Sequence, residues 1–126
     1  MIQLVEIESL LSHEQLDPSN LKKLLKHIAE DKMIKEPIVV DSSTNVVLDG
    51  HHRCGVAQQL GLKRIPVQFV DYCSDNIRVF PRRSNIAVSK EIVIERALKH
   101  ELFPAKTTRH VVPKVEEVNI ELDRLR

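Results

Sequence analysis

Four short clusters in this 126-residue chain bring together side chains that handle anions and protons. Asp49-Gly50-His51-His52-Arg53 sets a carboxylate and a glycine ahead of three side chains able to carry positive charge. At the start of a helix such residues join unpaired backbone N–H groups and a positive dipole end, the makeup of a phosphate or carboxylate site. Gly50 lets the backbone come close to a ligand, and Asp49 is the candidate either to cap the helix or to hold a divalent cation. Lys106-Thr107-Thr108-Arg109-His110 supplies two hydroxyls and three cationic donors, a composition suited to phosphate oxygens. Arg82-Arg83 is a third cationic cluster, suited to gripping a carboxylate. All three also read as ordinary solvated loops. His13-Glu14 carries the acid: beside an anion pocket, Glu14 can accept a hydroxyl proton as general base. A competing reading is local, because Ser12 and Gln15 match a capping box that would open a helix.

Periodicity predicts the elements that must hold these clusters. Residues 1–8 alternate imperfectly as an edge strand. Asp17-Pro18 supplies a cap and a first-turn proline for a helix whose apolar face is Leu21, Leu24, Leu25 and Ile28. Ile38-Val39-Val40 and Val46-Val47-Leu48 flank a polar turn and predict a hairpin, so that a buried strand ends at Asp49-Gly50. A helix follows from His51 to Leu60, with Gly61 as its terminating glycine. Residues 65–71 and 77–80 read as strands, and Ser89 opens a helix through Val93, Ile94, Ala97 and Leu98. Residues 105–110 read as a polar, cationic loop, and the last dozen residues fit helix and strand equally. The expected fold class is α+β, one domain with a small mixed sheet and about three helices.

Composition bounds the function. With 42% hydrophobic residues the chain can build one core without disulfide or metal, and Cys54 and Cys73 form no CxxC pair. No apolar run approaches a membrane span, and the start is too acidic for a signal peptide, so a soluble, cytoplasmic protein is expected. A net charge of +1 is too neutral for a protein that binds nucleic acid by coating phosphates. Between Arg78 and Lys114, however, nine basic residues stand against three acidic ones, which points to an anionic ligand served by the C-terminal half. No Walker A loop, GxGxxG, GxSxG or HExxH occurs.

From Pro37 through Arg53 the sequence resembles the ParB/sulfiredoxin superfamily, and within it the free L-serine kinases. Ser12-His13-Glu14, Asp49-Gly50-His51-His52-Arg53 and Phe103-Pro104-Ala105-Lys106-Thr107-Thr108-Arg109-His110 occur in that family's order. Ala105 stands where a second proline is common. The resemblance covers about residues 1–112 and implies a kinase domain there, with residues 113–126 as a tail of the same domain. It implies that Glu14 deprotonates the serine hydroxyl. It also implies that Asp49, Gly50, His51, His52 and Arg53, with Lys106, Thr107, Thr108, Arg109 and His110, surround the phosphates of ADP or ATP. Mg2+ is the expected cofactor, with Asp49 its candidate ligand. Arg82, Arg83 and His52 are candidates for holding L-serine. Val115, Val118, Leu122 and Leu125 are candidates for self-association.

Two other readings differ in kind. A nucleotide-binding, DNA-associated module would normally carry a helix-turn-helix, for which residues 113–126 leave no room. A sulfiredoxin-like reductase needs its cysteine just before His-Arg, where this chain has His51, with Cys54 after Arg53.

Overall fold

The computed structural model describes residues 2–126. Strand β1 (Ile2–Glu6) leads through a single 3-10 turn into an extended loop, then helix α1 (Pro18–Asp31) and the short strand β2 (Met33–Ile34). Next come β3 (Ile38–Asp41), β4 (Val47–Asp49), α2 (His51–Gln59) and β5 (Arg64–Val70). The rest is β6 (Arg78–Pro81), α3 (Lys90–Leu98), β7 (Thr108–Val111), β8 (Ile120–Glu121) and a closing 3-10 turn, Leu122–Leu125. One four-stranded sheet has the order β1-β5-β3-β4, and β2-β8 and β6-β7 are separate two-stranded ribbons. Only β3 and β5 run parallel, because α2 carries the chain across between them. Three helices and a small mixed sheet make this the α+β architecture expected.

β4 is the wall between two cores. Val47 packs with Ile38, Val40, Val56, Ile65 and Leu125 on one side, while Val46 and Leu48 pack with Tyr72, Ile77, Val93, Ala97 and Phe103 on the other. A period of two on a strand buried on both faces explains the unbroken apolar run Val46-Val47-Leu48. Because β4 ends at the boundary of the two cores, whatever follows it is held from both sides. Gly50 follows, with φ +102°, a left-handed conformation natural to glycine. A Cβ there would stand 2.5 Å from Ile38 Cγ2, so the turn from β4 into α2 is closed to larger residues.

Four expectations are corrected. No helix starts at Ser12: residues 12–17 are loop, and Glu14 bridges to Phe103, so the capping box does not form. Asp17 occupies the N-cap of α1 without a capping side-chain bond, its carboxylate lying 3.3 Å from Lys106 Nζ instead. The cationic stretch before Pro113 is not all loop, since Thr108–Val111 pairs with β6. The tail is not a free apolar stripe: Leu122 and Leu125 are buried in the first core, and the Lys63 N–H donates to the Leu125 carbonyl at 2.8 Å. Leu122 and Leu125 are taken up by the chain's own core, whereas Val115 and Val118 are only half-buried.

Candidate active site

Three of the four clusters meet around one buried imidazole. His13 is 1% exposed, its Nδ1 2.9 Å from the Val47 carbonyl and its Nε2 3.0 Å from Thr108 Oγ1. Its ring packs edge-on against His51, with centroids 4.4 Å apart, and against His110 at 5.2 Å. Beside it, Glu14 is half-buried and turned toward the start of β7. Glu14 Oε1 accepts from the Thr108 N–H at 2.8 Å, the Thr107 N–H at 3.2 Å and the Thr108 hydroxyl at 2.8 Å. Among the described residues Oε2 has no hydrogen-bond partner. One carboxylate oxygen is thus anchored and the other left for a substrate, an arrangement suited to taking a proton.

The helix N-terminus serves this loop directly. His51 Nε2 accepts the His13 N–H at 3.2 Å, and His52 Nε2 accepts the Asp17 N–H at 3.0 Å. An imidazole nitrogen that accepts an N–H carries no proton, so both rings are neutral Nδ1–H tautomers. The two histidines were expected as cationic phosphate ligands. The structure instead uses them to brace the ends of the segment that carries Glu14, leaving at most an Nδ1–H for a ligand. Burial holds His51 well below the ordinary histidine pKa, with His13, His110 and His52 nearby adding to the effect. Burial also lowers His13, against the opposing pull of Glu14 and its bond to Val47. His110 falls to about 3, from burial first and then from His13 and Lys90, and the Tyr72 hydroxyl lies 2.7 Å from its Nε2. The site is therefore lined by neutral imidazoles.

The true cations stand around this centre. Lys106, in a left-handed conformation at φ 59°, pairs with Asp17 across the gap between the two loops. Arg53 does not point into the cluster: its guanidinium lies against Gly50 and binds Glu36 Oε2 and the Pro37 carbonyl, both at 3.3 Å. Arg109 also departs from expectation. On β7 it alternates with Thr108 and His110, so it faces the opposite side and stacks over the Phe80 ring at 4.9 Å. Neither guanidinium is among the hydrogen-bond partners of His13 or Glu14. Arg83 donates to the Ala105 carbonyl and the Arg82 backbone N–H to the Thr107 carbonyl, so both brace the 105–107 turn. The Arg82 guanidinium has no partner among the described residues.

Asp49 is exposed at the end of β4 with its carboxylate unpartnered, and no group of three or more metal-binding side chains occurs among the described residues. One free carboxylate beside a helix N-terminus would suit a Mg2+ ion that takes most of its ligands from elsewhere. It does not fit an all-protein metal cage. Cys54 is buried and its thiol is pushed up to about 11, which removes the sulfiredoxin-like reading by this residue. Sequence reasoning missed His13 and Tyr72 as members of the site. A histidine beside a candidate base was a usable signal for the first, but nothing local marks Tyr72. A cleft of about 740 Å3 between the β3–β4 turn and α3 shares Tyr72 with the cluster but none of the expected site residues.

The fold is similar to those of a sulfiredoxin and of free serine kinases. A sulfiredoxin from Arabidopsis thaliana superposes on 56% of this chain and 85% of its own with a TM-score of 0.50 at 23% identity. Over the whole chain the likeness is to the free serine kinases. A free serine kinase in complex with AMP superposes with a TM-score of 0.90 at 18% identity, covering 99% of this chain and 93% of that one. In sequence, an ATP-dependent L-serine kinase of Staphylothermus marinus is 32% identical over 80 residues, 60% of this chain. The match spans 32% of that relative's length. No protein-family model matches the chain.

Proposed function

We propose that this chain phosphorylates the hydroxyl of free L-serine, taking the phosphoryl group from ADP or ATP to give O-phospho-L-serine. The observation that carries this reading is Glu14: its Oε1 is pinned by three donors from Thr107 and Thr108, while its Oε2 is open beside a helix N-terminus. Glu14 Oε2 takes the serine hydroxyl proton as the serine oxygen bonds to phosphorus and the bond from phosphorus to the nucleotide oxygen breaks. The N–H groups at the start of α2, with Lys106 released from Asp17, hold the phosphate oxygens; phosphoryl transfer demands mainly this positioning and charge neutralisation. Arg53 and Arg109 join them only if their guanidinium groups leave Glu36 and the Phe80 ring. Asp49 would hold a Mg2+ ion, which would supply further charge neutralisation. Arg82, with its guanidinium free, is the better candidate of the arginine pair for the serine carboxylate. Likeness to proteins named as serine kinases supports the acceptor.

The test is phosphorus NMR of protein, L-serine and Mg2+ with ADP or ATP. A phosphomonoester signal that disappears in Glu14→Gln is expected. Its absence with both donors, or undiminished turnover in the variant, overturns the reading.

A further inference from the structure

Two cations that border the site are already held by carboxylates of the chain itself. Lys106 Nζ lies 3.3 Å from Asp17 Oδ2, and Arg53 Nη1 lies 3.3 Å from Glu36 Oε2. The two pairs differ in strength. The Glu36 side chain is 56% exposed, where water and salt leave little of an ion pair, whereas the Asp17 side chain is 19% exposed and keeps more of the attraction. Lys106 is also free to leave without loosening the base. The Phe103 N–H donates to the His13 carbonyl and the Gln15 N–H to the Phe103 carbonyl, both at 2.8 Å, and Glu14 Oε1 takes its donors from Thr107 and Thr108. The loop that carries Glu14 and the segment that anchors it therefore stay joined whether or not the ion pair holds.

We infer that Asp17 is a built-in competitor for the nucleotide's phosphates: its carboxylate holds Lys106 until a phosphate oxygen displaces it, and so sets how tightly nucleotide binds. This rests on the phosphate-holding role of Lys106 in the kinase reading. The partner that moves is Lys106. Asp17 is fixed at the start of α1, its N–H donating to His52 Nε2 at 3.0 Å and its carbonyl accepting the Leu21 N–H at 2.9 Å, whereas the Lys106 ammonium ends a flexible four-carbon stem. A phosphate that takes the ammonium breaks its attraction to Asp17 and then lies beside an uncovered carboxylate. Each effect weakens binding.

Calorimetric titration of ADP and of ATP tests this on the parent, Asp17→Asn, Lys106→Met and the double variant. Asparagine caps a helix as well as aspartate does, so the start of α1 is kept. Expected is nucleotide binding about fivefold tighter in Asp17→Asn than in the parent, and a gain of under about twofold from the same change in the Lys106→Met background. The difference isolates the ion pair, since simple repulsion between Asp17 and phosphate is relieved equally in both backgrounds. Asp17→Ser, a second good cap, is expected to tighten binding as Asp17→Asn does. Equal gains with and without Lys106, unchanged or weaker binding in Asp17→Asn, or no binding of either nucleotide would each overturn the inference. Phosphoserine formation, measured on the same proteins, separates this result from the kinase reading. Turnover without the coupling removes the competitor and leaves the kinase; the coupling without turnover removes the kinase and leaves Asp17 as a competitor for nucleotide phosphates.

Discussion

Glu14 gains its direction from atoms that belong to residues far along the chain. Replacing it by Gln keeps the size but removes the base, and kcat for serine phosphorylation is expected to fall by about 10²- to 10⁴-fold, measured by phosphoserine formation under saturating nucleotide. The neutral imidazoles predict acid sensitivity. An unfolded histidine takes a proton near its ordinary pKa, about 6.5, whereas His110 in the fold does so only at about 3. Between those values the unfolded state binds more protons, so stability rises with pH through this window and is lost on acidification. The slope is up to about 1.4 kcal/mol per pH unit for one such histidine. Urea midpoints at pH 7, 6 and 5 should fall in that order, and more gently for His110→Phe; equal slopes would show that His110 contributes none of it. At this scale residue type and cluster spacing made Glu14 and Asp49 candidates, and the structure leaves a carboxylate oxygen of each without a partner among the described residues. The state of the histidines was not legible. A ring nitrogen used as an acceptor is fixed by partners 38 and 35 positions away, which no local pattern encodes.

Between β4 and α2 the chain turns through one residue in the left-handed region. Gly50→Ala places a Cβ against Ile38 and forces a non-glycine residue to φ +102°, at a cost of about 1–3 kcal/mol for the backbone alone. A lower urea midpoint and weaker nucleotide affinity are expected together, since the same residue sets the start of the helix. This element was readable in advance, because an apolar run ending in Asp-Gly before a helical pattern leaves few alternatives. β7 was hidden for a physical reason: its inward residues, Thr108 and His110, are polar, so the alternation that marks a strand had no hydrophobic signature. The tail was ambiguous because β8 is only two residues long and the turn after it buries Leu122 and Leu125 at 3-10 spacing.

Across the whole molecule, two cores share β4 and the tail closes the first of them. Leu125 is fully buried there, so Leu125→Ala is expected to cost about 2–5 kcal/mol, read as a lowered denaturant midpoint. A chain held at the same midpoint would mean that the tail is only draped on the surface. The pairing of Glu14 with Thr108 bridges 94 positions, so the base and its anchors meet only after nearly the full domain exists. During synthesis the carboxylate of Glu14 leaves the ribosome long before the donors that hold it. Until residues 107 and 108 follow, nothing fixes its direction.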